Sequence, residues 1–432
     1  MHLSLQLFVI VLAFVSYEHE AIAAYVPPYT SYVFPVNKHI DAAKPLYSIQ
    51  IMTDYVNMQF VHENFLIDFD APFIWYNCIV QWNIYPGSCP TNALCRSPVS
   101  CEEYQCTDVR ASYSSKNPSC ALETNSSTLP GWGFCTCPVN VVNPLTGSCS
   151  QALLNYDNFW VNTSDGRNAF DGFSGAYPNA ACAPSSSFAS LPTNVTGVMA
   201  FSSSPYAMPA YIYQPLKKAF ALCIPSNIYT SGVLFFGTGP YYLLPQSNID
   251  VRSYLSYTPL LKRQDSFGYF ITINSIVIKK RSINVPANIT TKLSTTEPYT
   301  SLRTDIYNGV IRRFSMVTKR IPHAKPVAPF GLCYSTSTTS LKVPDINFNL
   351  PDGKNWIVSV SNSIKQITNE VACLAFVDGG ATSEPGIVIG TFQFEDNFLE
   401  FNLEDSTLGF SSSLLRKQTS CANFNSTLVH GP

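Results

Sequence analysis

Hydrophobic and polar residues alternate along much of the chain in short runs. Tyr47 to Ile51 alternates, as does Val56 to Val61. Such a period-two pattern turns one face of a strand to a core and the other to solvent. Four further runs are rich in β-branched and aromatic residues: Val233 to Phe236, Phe270 to Ile273, Ile276 to Ile278 and Trp356 to Val360. All are short and lie between clusters of Gly, Pro, Asn and Ser, which is the punctuation of barrels and sandwiches. Helical spacing is scarce. Thr304 to Thr318 is the best window, with Ile306, Val310, Ile311 and Phe314 near a 3.6-residue repeat. Tyr213 to Ala221 is a shorter candidate. The expectation is an all-β protein with few short helices.

Composition narrows the class. Charged residues make up 12% of the 432 and aromatics 13%, which excludes a disordered chain and a coiled coil. The length gives a soft expectation of two or three domains. Leu3 to Val15 is a 13-residue apolar run followed by Ala21-Ile22-Ala23. It is too short to span a bilayer and fits a signal peptide over 1–23. No later apolar stretch approaches membrane length, so no anchor is expected. Residues 1–23 hold Glu18 and Glu20 and no Lys or Arg, which leaves 26 basic against 26 acidic residues. A neutral chain has no electrostatic footprint for nucleic acid or an anionic membrane.

Fourteen Cys follow the signal segment, enough for seven disulfides in an oxidising compartment. Eight of them fall between Cys89 and Cys149, in a stretch rich in Ser, Asn, Thr and Pro that reads as stapled loops. The paired spacing of a zinc site is missing, and His39, His62, His323 and His430 are scattered, so neither a metal nor a cofactor is expected. Sequons at Asn125, Asn162, Asn194, Asn288 and Asn425 agree with export and glycosylation. The Cys density drops after Cys223, which marks a boundary between an N-terminal lobe at 24–224, carrying the Cys-rich insertion, and a C-terminal lobe at 225–432.

Two segments share a local form. Phe65 to Trp75 and Thr291 to Thr300 each read as a strand running into a tight polar turn. Each has a hydrophobic partner downstream, Gly197 to Phe201 and Gly386 to Gly390. On these residues, and most clearly on Ile387 to Ser413 (IVIGTFQFEDNFLEFNLEDSTLGFSSS), the chain resembles the pepsin-like aspartic proteases. The resemblance implies a bilobal fold in which two Asp-Thr/Ser-Gly turns bring two carboxylates to one water. Asp68 stands at the first aspartate, followed by Phe69 in place of the hydroxyl residue and Asp70 in place of Gly. Ser294 stands where the second aspartate belongs, and Thr296 where Gly belongs. A serine hydroxyl does not ionise near pH 7, so two acids cannot share a proton here. Nothing resembles that family's flap Tyr in its Tyr-Gly-Asp setting. Asp68 and Ser294 are therefore read as remnant positions, without a catalytic role.

The second half is similar to a plant branch of that fold: xylanase inhibitors, xyloglucanase inhibitors and seed basic globulins. The stretches that carry the likeness are Ser294 to Thr300, Pro326 to Cys333, Phe376 to Gly380 and Cys421 to Asn425. In the first half Ala71 to Trp75, Asn143 to Gly147 and Phe220 to Cys223 fit. The resemblance implies pairings Cys223–Cys421 and Cys333–Cys373 and leaves the other ten Cys open. It also implies an inhibitor that pushes a cation from a late loop between the two carboxylates of a glycoside hydrolase. The matching loop runs from Asp378 to Gly386. Asp378, Thr382, Ser383, Glu384 and Pro385 are its candidate contact residues, and Glu384 stands at the Arg position.

A carboxylate entering a carboxylate-floored cleft is repelled. His323, flanked by Arg320 and Lys325, is the other candidate cation, though a plain solvated loop is the preferred reading, and Arg312, Arg313, Lys319 and Arg320 are read as a solvated helix face. Of Trp75, Trp82, Trp132, Trp160 and Trp356, most are expected in the core, with a sugar groove as the alternative. The expectation is a secreted inhibitor of cell-wall-degrading glycoside hydrolases. A degenerate aspartic peptidase and a seed storage or binding globulin are the alternatives.

Overall fold

A computed structural model describes residues 29–430 apart from 41–43, 57–58, 83–87, 91–92, 115–128, 130, 134, 212–215, 217, 244–247 and 337–340. The signal segment and Asn125 lie outside the described residues. Strands dominate, and among the described residues there are four α-helices: Tyr104–Ser114, Thr304–Val317, Val360–Ser363 and Thr391–Phe394.

The alternating runs become strands because alternation buries one face. Tyr47 to Ile51 lies inside the strand Leu46–Val56. Val56 to Val61 is not one strand: Val56 pairs with Gln59, so the run straddles Leu46–Val56 and its antiparallel neighbour Gln59–Asp68. The candidate helix at 213–221 is overturned in its described last part. Ala219–Cys223 is a strand of five buried residues between Gly232–Phe236 and Phe398–Asn402. Helix Thr304–Val317 does form, burying Ile306, Tyr307, Val310 and Phe314 on one side.

The central feature is one arrangement used twice. Strand Gln59–Asp68 runs parallel to Gly197–Ala200, which runs antiparallel to Ile74–Asn77, itself parallel to Asn179–Ala183. Strand Thr291–Leu293 runs parallel to Ile387–Ile389, which runs antiparallel to Thr300–Arg303, itself parallel to Phe376–Gly380. Gly197 is needed at this crossing: an added Cβ would come within 2.5 Å of the Tyr76 Cβ and 2.6 Å of the Phe65 ring. The first unit is part of a large sheet that continues through Ser31–His39, Gly232–Phe236 and Ala219–Cys223 to Phe398–Asn402, Thr407–Phe410 and Ser256–Pro259. Strands from both halves thus share one sheet, and residues 224–225 lie between two of its paired strands.

Aromatic packing and buried charge tie the halves together. Phe69 meets Tyr269 and Phe401, and Phe220 stacks on Phe401 with centroids 4.6 Å apart. Lys38 lies 2.6 Å from Glu395, whose carboxylate also accepts from the Tyr47 hydroxyl at 2.7 Å. Disulfides join Cys78–Cys182, Cys89–Cys95, Cys101–Cys135 and Cys106–Cys137 in the first half. Cys223–Cys421 clips the shared sheet to the C-terminal segment, and Cys333–Cys373 crosses two paired strands. Cys149 is also disulfide-bonded. No helix among the described residues is long and apolar enough to cross a membrane.

Candidate functional site

The two strand–turn units deliver Asp68 and Ser294 to one cavity of about 350 Å³. Asp70, Lys292, Thr296, Glu297 and Pro385 also line it. A turn between strands Pro138–Val142 and Cys149–Tyr156 covers it with Asn143, Pro144 and Gly147. The Asn143 side chain holds that turn, donating to Ser187 O and Ser190 and accepting from the amides of Leu145 and Thr146.

Each turn is closed by its first side chain. Asp68 Oδ1 accepts the Asp70 amide at 2.8 Å. Ser294 Oγ accepts the amides of Thr296 and Glu297 at 3.3 and 3.1 Å. The units are then stitched together by Thr295, whose hydroxyl donates to Ile67 O at 2.7 Å and accepts from the Phe69 amide at 3.3 Å. Burial pushes the Asp68 carboxyl up to about 6, helped by the Asp70 carboxylate and opposed by the Asp70 amide and the Lys292 ammonium. Asp68 is thus a buried acid, with the Ser294 hydroxyl and the partly exposed Asp70 carboxylate lining the same cavity.

Asp70 carries a role that the sequence alone did not assign. Its carboxylate pairs with Lys292 at 2.5 Å and accepts from Ser266 at 2.8 Å, bridging the two units across the cavity wall. Gly268 permits the approach, since a Cβ there would stand 2.8 Å from Asp70 Oδ1 and 3.2 Å from Lys292 Cε. The sequence signal was the acid at Asp70 where the resembling family has Gly, with Lys292 two residues before Ser294.

Of the late-loop candidates only Pro385 reaches the cavity. Asp378, Thr382 and Glu384 are exposed and Ser383 is half-buried. Asp378 accepts from the Thr304 hydroxyl at 2.7 Å and the Gly380 amide at 2.9 Å, and the Ser383 hydroxyl donates to Pro385 O at 3.1 Å. Glu384 is not a bare charge. Arg263 donates to it at 2.9 Å while holding Asp265 through two further bonds. Those bonds raise the Arg263 guanidinium above its ordinary range.

The remaining candidates are dispersed. His323 is exposed, with its ring edge-on to Tyr334. Arg313 is spent on the carbonyls of Ile278 and Lys279, whereas Arg312, Lys319, Arg320 and Lys325 are exposed. Trp75 and Trp356 are core residues, Trp160 is half-buried, and Trp82 and Trp132 are exposed. Asn194, Asn288 and Asn425 are exposed, and Asn162 is half-buried on a strand. Among the described residues no three His, Cys, Asp or Glu side chains gather as metal ligands would.

Two lobes that each present a crossed strand–turn unit to one cavity define the pepsin-like class of folds. Solved structures agree. The structure of edgp superposes with a TM-score of 0.78 at 29% identity, covering 93% of this chain and 99% of that one. The conglutin gamma described as a basic 7S globulin from lupine seeds gives 0.75 at 26%, covering 93% and 100%. Within that class the chain belongs to the xylanase-inhibitor family: the model described as Xylanase inhibitor N-terminal matches residues 48–238, and Xylanase inhibitor C-terminal matches 268–412. Gamma conglutin 1 of Prunus dulcis is 35% identical, with 89% of this chain and 88% of the relative covered. Chitinase CLP of Oryza sativa subsp. japonica is 37% identical over 68% of this chain and 74% of its own. Probable aspartic proteinase GIP2 of Nicotiana benthamiana is 30% identical over 92% of each.

Proposed function

We propose that this is a secreted, non-catalytic protein that binds and inhibits a cell-wall-degrading glycoside hydrolase of the xylanase or endoglucanase class. The observation that carries the reading is the cavity itself. A water between two carboxylates is what a pepsin-like protease activates; here Ser294 lines the cavity with Asp68, and the second carboxylate there, Asp70, is held by Lys292. Membership in the xylanase-inhibitor family supports the inhibitor class. The loop at 378–386 suits docking because hydrogen bonds to Thr304 and Arg263 already hold it, so little entropy is lost on binding. With Glu384 paired to Arg263, which also holds Asp265, the loop engages the rim of a partner and places no lone cation on its catalytic carboxylates. Secretion to the apoplast or cell wall rests on the segment at 1–23, the disulfides and the sequons.

The test is a panel of microbial xylanases and endoglucanases assayed with the purified protein. The expected result is slowed hydrolysis with a nanomolar-to-micromolar Kd, weakened by a paired Asp378→Ala and Glu384→Ala change. An unaffected panel at micromolar protein would remove the reading. The kinship with proteins named conglutin and basic 7S globulin supports a second one, a seed storage or binding globulin. High seed abundance without inhibition would select it.

A further inference from the structure

Beyond the Asp70 bridge lies a second hollow of about 400 Å³, larger than the cavity at Asp68. The two share one wall. Ser266 and Gly268 line the second hollow, while Asp70, which accepts from Ser266, and Lys292 line the first. The bridge thus divides the cleft into two compartments.

The second compartment has its own chemistry. Leu260, Leu261, Leu403 and Pro205 form apolar walls. Lys218 and Lys262 are exposed at its edge, and among the described residues neither ammonium forms an ion pair. Two acids lie nearby: Asp265 is held by Arg263, and Glu404 accepts from the backbone amide of Lys218. Ser202, Ser203, Ser204, Ser266, Ser406 and Arg263 line it as well, so the hollow sets apolar walls against hydroxyls and cations, a mixture that suits a small amphipathic ligand.

We propose that this compartment binds a small amphipathic anion, a carboxylate or sulfonate on an aromatic or aliphatic body of roughly 10 to 20 heavy atoms. The apolar body fills the space between the leucines and the acid group meets Lys218 and Lys262. Because the Asp70 bridge closes the inner wall, the ligand does not reach Asp68 or Ser294. Its binding is independent of the inhibitor reading.

The experiment titrates the full-length secreted protein with the fluorescent anion 8-anilinonaphthalene-1-sulfonate and with its uncharged counterpart N-phenyl-1-naphthylamine. The sulfonate is expected to bind saturably at one site, about tenfold tighter than the amine. Lys218→Glu and Lys262→Glu each weaken the sulfonate about tenfold and leave the amine unchanged. Ala210→Trp, at an exposed lining position, blocks both dyes. These are surface changes, and an unaltered unfolding temperature shows that the fold is intact. Equal affinity for the two dyes, sulfonate binding that ignores all three substitutions, or no saturable binding below about 1 mM would overturn the proposal.

Discussion

The turn at Asp68 and the turn at Ser294 stand on the same crossing of strands and differ in one property. Both first side chains accept backbone amides of their own turn, which is the ordinary structural work of Asp and Ser in turns. Only Asp68 can also hold a proton that titrates in the range of enzyme chemistry. Ser294 closes its turn as Asp68 closes its own, and adds no ionisable group to the cavity. What the scaffold requires is the stitch made by Thr295 between the units. What a protease would require is a second carboxylate. The two demands separate cleanly at this site.

The comparison breaks most severely at the stitch. Thr295→Val keeps the shape and deletes the hydroxyl, leaving Ile67 O and the Phe69 amide without that partner inside the protein. The expected cost is about 3 kcal/mol, read from denaturant unfolding. Ser294→Ala, which removes only a turn acceptor, should cost less in the same assay.

The next largest effect is a pH dependence confined to the first turn. The Asp68 carboxyl sits at about 6 when folded, above the ordinary aspartate value of 3.8, so the folded state binds the extra proton. Its contribution is fully present below about pH 4 and is lost as pH rises through about 6. Asp68→Asn should therefore gain about 2 kcal/mol over the wild type at pH 8 relative to the difference at pH 4. Paired unfolding curves at the two pH values check the sign.

The smallest effect belongs to the bridge. The Asp70 and Lys292 side chains are partly exposed, so Asp70→Ala should cost 1 kcal/mol or less, about the range of surface pairs. Its sharper signature is on its neighbour. Removing the Asp70 carboxylate and freeing the Lys292 charge both favour ionised Asp68, so the Asp68 carboxyl should titrate below about 6. Carboxyl-carbon NMR follows that shift directly.

Much of this was legible in the chain. The two strand–turn segments, their hydrophobic partners and helix Thr304–Val317 follow from local periodicity, whereas the correspondence of Asp68 with Ser294 came from the family resemblance; both residues line one cavity. Other features were hidden for identifiable reasons. Helix Tyr104–Ser114 buries Cys106 and Val109 but has little apolar stripe, and a disulfide from Cys106 to Cys137 holds it in place of a packed face. Ala219–Cys223 is buried among neighbouring strands, and an apolar run of that kind carries no period of its own. The Asp70 bridge joins residues 196 and 222 positions apart, and Arg263 reaches Glu384 across 121. No local pattern announces such contacts.

The most direct test of the central claim is proteolysis by the purified wild-type protein. An unfolded protein substrate is incubated with it from pH 3 to pH 7, with and without pepstatin. With Ser294 offering no acid and the Asp70 carboxylate held by Lys292, no cleavage above background is expected at any pH. Cleavage that pepstatin blocks and Asp68→Ala abolishes would contradict the account.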